Sequence, residues 1–162
     1  MQVLYPYIVL VHVLGAFGFA LAHGGSALTA FRIRAEREPQ RIAALLDLSA
    51  WTLGLSYASL LVLLAAGIAA GVMGGWFGQA WIWTALGVLV AVTVTMLAYA
   101  APYYQRVRQA IGQVGRGRGP APAPVSAAEL AALLDSRRPE RIAAIGSAGL
   151  LLILWLMVLK PF

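Results

Sequence analysis

Cysteine is absent from this chain, and acids are scarce: six Asp and Glu stand against twelve Lys and Arg in 162 residues. The first absence excludes disulfides, thiolate metal sites and cysteine nucleophiles together. The second leaves no deep carboxylate for a proton relay. Charged residues make up 11% of the chain, where a soluble domain carries about a quarter. Methionine is too sparse for a soft-metal path, since Met73, Met96 and Met157 form no pair on one helix. No serine has a base and an orienting partner, and no phosphate-cradling loop occurs, so an enzyme is not expected.

What remains is apolar: 61% of residues are hydrophobic and the mean hydropathy is +0.81. The basic residues that interrupt this material are segregated. Arg32, Arg34, Arg37 and Arg41 follow the first long apolar stretch, and Arg106, Arg108, Arg116, Arg118, Arg137, Arg138 and Arg141 lie between the third and fourth. Residues 73–80, between the second and third, carry no charge. Alternation of basic and uncharged connections marks a polytopic membrane protein, and the arginine bias orients it. The expectation is an all-α integral membrane four-helix bundle, up-down-up-down, with N-out/C-out topology in a bacterial cytoplasmic (inner) membrane. Four crossings of ~20 residues consume about half the chain, so residues 1–162 are read as a single transmembrane domain.

The spans are expected at residues 4–34, 39–73, 80–104 and 142–159. Pro39 suits a first helical turn, where its missing N–H costs nothing. Tyr5, Tyr7, Trp76, Trp81 and Trp83 mark one interface, and Tyr103 and Tyr104 the other. Lys160 would snorkel to the outer surface. The net charge of +6 is explained by topology and lipid headgroups, so no nucleic-acid partner is expected. Ala20-Leu21-Ala22 imitates a cleavage site, but no basic residue precedes the apolar run, so the first helix is expected to stay uncleaved.

Residues 109–138 read as a cytoplasmic linker. The Gly115–Gly119 run alternates glycine with Arg116 and Arg118, and Pro120, Pro122 and Pro124 make the adjoining stretch stiffer. Ser126 and Glu129 form a capping box ahead of Leu130, Leu133 and Leu134, which predicts a short amphipathic helix on the inner membrane face. Pro39-Gln40-Arg41-Ile42-Ala43-Ala44 recurs as Pro139-Glu140-Arg141-Ile142-Ala143-Ala144. Either the chain is two duplicated hairpins or helix-start signals recur by chance. Asp47, the only acid near a span interior, is expected to pair with Arg41 or a first-span arginine.

Both histidines, His12 and His23, sit in the first span. Eleven residues apart is three turns plus about 20°, so they share a face at ~16 Å separation, together with Phe19, Ser26 and Ala30. Histidine within a span faces protein or water, and imidazole is a common axial ligand of haem iron. Haem b is therefore the candidate cofactor, with His12 and His23 as candidate iron ligands. A parallel dimer through the first helix would pair each histidine with its copy; a single haem would need a non-histidine second ligand. The plain alternative is that each histidine bonds a hydroxyl on a neighbouring helix. Gly15, Gly18, Ala22 and Gly25 give the same helix a small-residue face for close helix packing.

Leu10-Val11-His12-Val13-Leu14-Gly15 followed by Gly24-Gly25 resembles the small four-helix bacterial membrane proteins related to the copper-resistance protein D family. It resembles, more distantly, the membrane-bound haem-containing protoporphyrinogen oxidases. The resemblance spans roughly the first three helices and implies His12 as a haem ligand, with Gly24 and Gly25 structural. Such helices often carry tryptophan before the glycines, where this chain has Ala22-His23, and the oxidases use a lysine in a later span, which this chain lacks. Three functions are expected in consequence. The first is a helix-packing accessory or homo-oligomeric module contacting the bilayer and a membrane-complex partner. The second is a haem-binding redox protein, and the third a small metal or solute transporter.

Overall fold

The computed structural model describes residues 3–114 and 120–162. The glycine-arginine run at 115–119 lies outside the described residues. Five α-helices succeed one another: α1 (Tyr5–Ala35), α2 (Pro39–Gly74), α3 (Ala80–Ala110), α4 (Ala127–Leu134) and α5 (Arg138–Leu159), with a 3₁₀ turn at Trp76–Gly78. Among the described residues there is no strand. Four stretches are long and apolar enough to cross a membrane: α1, α2, α3 and Ala127–Leu159, which contains α5. Only 11% to 17% of each apolar window is buried within the chain. The remaining apolar surface has hydrocarbon as its natural solvent, and amides in the interior of a helix bond within their own segment. The protein is a multi-pass, all-α, up-down-up-down membrane bundle.

Local signals explain the helix ends. Pro39 opens α2, Gly75 closes it at φ 69°, and Gly75 N–H bonds the Val72 carbonyl at 3.3 Å. Only a residue without Cβ takes that left-handed conformation freely. At α4 the capping box is complete: Ser126 Oγ accepts from the Glu129 N–H at 3.3 Å, and a Glu129 carboxylate oxygen accepts from the Ser126 N–H at 3.0 Å. α3 runs to Ala110, six residues past the expected Tyr104, carrying Pro102 inside it. Its last turns stay helical because Tyr103, Val107 and Ala110 are buried against protein rather than left at the headgroups.

Two antiparallel pairs make the bundle. α1 packs along α2, and α3 along α5; α1 touches α5 over a shorter stretch, and α2 and α3 barely meet. The small face of α1 forms the first seam. A Cβ on Gly15 would lie 2.8 Å from the Leu63 nitrogen, one on Gly18 2.6 Å from Ser59 Oγ, and one on Gly25 3.6 Å from Thr52 Cγ2. Ala22 and Thr29 are buried on the same seam. Three hydroxyls of these helices bond backbone carbonyls of their own helix: Thr29 to Gly25, Thr52 to Ser49 and Ser56 to Thr52. That satisfies them without holding the helices apart. In the second pair the small residues lie on α5, where Val92 of α3 occupies the space beside Gly149.

The pairs are joined at their ends. At the arginine-rich end Ile33, Ile42, Leu46, Tyr103, Val107, Ala110, Leu130 and Leu134 form one buried cluster from α1, α2, α3 and α4. The apolar stripe of α4, Leu130 and Leu134, thus turns into the bundle and packs in this cluster. Arg34–Glu140 and Arg37–Asp135 add cross-pair ion contacts there. At the tryptophan end Trp81, Ile82, Ala85 and Leu156 form a second cluster within the α3–α5 pair, and Trp76 and Phe77 from the α2–α3 turn pack against it. Lys160 lies there with Nζ 4.0 Å from the Trp76 ring centroid, and Trp76 Nε1 donates to the Tyr5 hydroxyl at 3.1 Å.

The α1–α2 turn has its own lock. Glu36 accepts from the Arg37 N–H at 2.9 Å and the Glu38 N–H at 3.2 Å. These bonds, the Arg37 amide foremost, hold its carboxyl below the usual range, with the Arg41 and Arg37 charges adding to them. A carboxyl whose folded pKa is depressed stabilises above its unfolded value and loses that contribution as pH falls through the folded one. Lowering pH from about 6 to about 3 should therefore speed amide hydrogen exchange at Arg37 and Glu38 beyond the intrinsic pH effect. Glu36→Gln should abolish that excess; an excess unchanged in Glu36→Gln would refute the assignment.

Candidate functional site

Because α2 and α3 barely touch, the middle of the bundle is not filled. Between the two helix pairs lies a cavity of about 560 Å³, walled by residues of α1, α2, α3 and α5. Its size falls within the range of cofactor and lipid pockets, ~300–1,000 Å³. Phe19, His23, Ser26 and Ala30 front it from α1, the face picked out by helical periodicity. Leu53, Leu60, Leu89 and Ile153 give it apolar walls. At the arginine-rich end it is closed by Asp47 and Arg108, whose side chains meet at 2.9 Å across the gap between α2 and α3. Arg108 also donates to Gln113 at 2.9 Å.

The pairing expected for Asp47, with Arg41 or an arginine of α1, is corrected by the structure. Arg41 is taken by Glu38, the residue just before α2, at 2.8 Å, with Glu36 at 3.9 Å. Extension of α3 beyond Tyr104 brings Arg108 opposite Asp47 instead. No sequence signal marks this pairing, because it depends on how far a helix continues into polar surroundings.

The two histidines part company in three dimensions. His12 turns to α2, with Nδ1 2.8 Å from the Leu63 carbonyl. The carbonyl only accepts, so Nδ1 donates this bond. The ring sits over Gly67, where a Cβ would meet it at 2.9 Å. His12 therefore bonds a backbone carbonyl rather than a hydroxyl, and the cavity lining does not include it. His23 turns to α5, and its ring occupies the notch left by Gly146, beside Met96 of α3. Its Nε2 is buried with no hydrogen-bond partner, although the residue borders the cavity.

Three features escape the sequence reading: the cavity, Met96 beside His23, and the notch glycines Gly67 and Gly146. A glycine inside an otherwise leucine-rich span is the available signal for the notches. The face expected for self-association, Gly15, Gly18, Ala22 and Gly25, is occupied within the chain by α2. Its small residues let the two helices of the hairpin approach closely. No group of three or more His, Asp or Glu side chains that could hold a metal ion occurs among the described residues. No protein family, curated protein or solved structure was found to match the chain.

Proposed function

We propose that this membrane protein is a binding module that holds a bulky, largely apolar ligand between its two helix pairs. The observation that carries the reading is the cavity of about 560 Å³ bounded by four helices and left open where α2 and α3 barely meet. A chain that served only to pack helices has no use for such a gap, which forfeits dispersion contacts on every wall. The arginine-rich end faces the cytoplasm by the positive-inside rule, which puts both termini outside; a bacterial inner membrane is the setting that suits it. Native mass spectrometry of protein drawn directly from membranes is expected to show one retained ligand. Ala143→Trp, which puts an indole on the cavity wall, should expel it. Retention by both proteins, or by neither, would overturn the reading.

Haem b is a second reading, favoured by His23. Buried polar nitrogens are nearly always bonded, and an unpartnered imidazole nitrogen beside a large cavity fits the donor chemistry of an iron ligand. Met96 shares its notch, and histidine with methionine is an established axial set. In the rotamer present Nε2 lies against Gly146, so ligation requires the imidazole to rotate toward the cavity. A bound haem would supply one-electron redox chemistry; His23 would hold it, and the apolar walls would exclude water. The resemblance to copper-resistance protein D-like proteins nominates His12, but the cavity favours His23. Absorbance with and without dithionite separates these: a Soret band lost in His23→Ala and kept in His12→Ala supports the reading. A colourless protein from haem-supplemented cells would end it.

A further inference from the structure

The cavity is not uniform along its length, and its asymmetry specifies a ligand. Deep in the bundle its walls are mostly apolar, interrupted by His23, Ser56 and Thr93, and at the arginine-rich end it finishes in Tyr104, Gln105, Asp47 and Arg108. The gap between α2 and α3 opens it sideways, along the direction a lipid would enter. Resting on the ligand-binding reading above, we infer that the occupant is a membrane phospholipid with an anionic headgroup, drawn from the leaflet at the arginine-rich end. Its chains lie along Leu53, Leu60 and Leu89, and its phosphate is received by Arg108.

Charge and exposure support that choice. The Arg108 side chain is about three-quarters buried, at 24% exposure, whereas its partner Asp47 is 68% exposed. An ion pair with one well-solvated member is weak, so a phosphate displaces Asp47 at little cost and offers Arg108 a bidentate acceptor. Among the described residues the same end carries nine arginines against six acids, some of them joined in ion pairs such as Arg34–Glu140 and Arg37–Asp135. The arginine excess favours an anionic over a zwitterionic headgroup. The Arg108 guanidinium is held at this end between Asp47 and Gln113, each at 2.9 Å.

The test uses delipidated full-length protein titrated with phosphatidylglycerol or phosphatidylcholine in detergent, read by native mass spectrometry. Phosphatidylglycerol should be retained at least ~10-fold better than phosphatidylcholine, which corresponds to about 1.4 kcal/mol. Arg108→Gln should erase that preference, while Asp47→Asn, which breaks the same ion pair but frees Arg108, should increase it. If the pair were merely structural, the two variants would behave alike, and that result overturns the proposal. Equal retention of both lipids by the native chain, with loss of both in Ala143→Trp, overturns the headgroup assignment but leaves the ligand-binding reading standing. Retention of neither lipid overturns the lipid proposal; retention insensitive to Ala143→Trp overturns both.

Discussion

Gly15→Leu is expected to unfold the α1–α2 pair at temperatures the native chain survives. A Cβ at this position would already stand 2.8 Å and 2.9 Å from the backbone nitrogen and Cα of Leu63. Backbone inside a helix yields only if the whole helix moves, so relief requires the two helices to separate along a seam that also holds Gly18, Ala22 and Gly25. Overpacking costs ~1–3 kcal/mol in cores that can adjust and more where they cannot; about 3 kcal/mol or more is expected here. For a chain of this size that lowers Tm by roughly 6–12 °C. Gly24→Leu supplies the control. It lies on the same helix with nothing within 4 Å of its Cβ position, so its melting should match the native chain or exceed it slightly, because glycine is a poor helix former. Equal losses in both variants would mean that helix propensity, not the seam, decides stability.

Leu134→Ala should have the second largest effect, and in a different place. Leu134 is fully buried in the cluster where α4 meets α1, α2 and α3, the main apolar tie between two helix pairs that have little contact within the membrane. Removing a buried leucine side chain costs ~2–5 kcal/mol, and about 3 kcal/mol is expected. The cost should appear as loosened attachment rather than loss of helices. The chain has no native cysteine, so spin labels placed at Gln40 and Arg141, both exposed, report the spacing of α2 and α5 without background. Their distance distribution should broaden in Leu134→Ala while helix content is retained. Leu133→Ala, at a partly buried neighbour, should change it far less. An unchanged distribution in Leu134→Ala would show that the ion contacts Arg34–Glu140 and Arg37–Asp135 suffice to hold the pairs.

These two variants also separate the levels at which this protein is encoded. The spans, their alternation and the α4 cap were legible because each is a local or compositional property. Apolar length must match the hydrocarbon thickness, arginine resists entering hydrocarbon, and Ser126 with Glu129 closes a helix start within four residues. The seam of α1 was legible as a small-residue stripe, but its partner was not. A stripe fits a second copy or a neighbouring helix equally well, and only the hairpin geometry assigns it to α2.

The candidate site belongs almost wholly to the tertiary structure. Helical periodicity put His12 and His23 on one face, yet α2 receives the first and α5 the second, because neighbouring helices cover different lengths of α1. Asp47 meets Arg108 only because α3 continues past Tyr104, and the cavity exists only because chain neighbours α2 and α3 stand apart. Composition and spacing thus decided that the chain forms four helical stretches long and apolar enough to cross a membrane, since those depend on transfer energies and hydrogen bonds local to each helix. Which faces meet, which histidine borders open space and which arginine guards it were decided by packing between segments distant in sequence, and no local pattern carries that information.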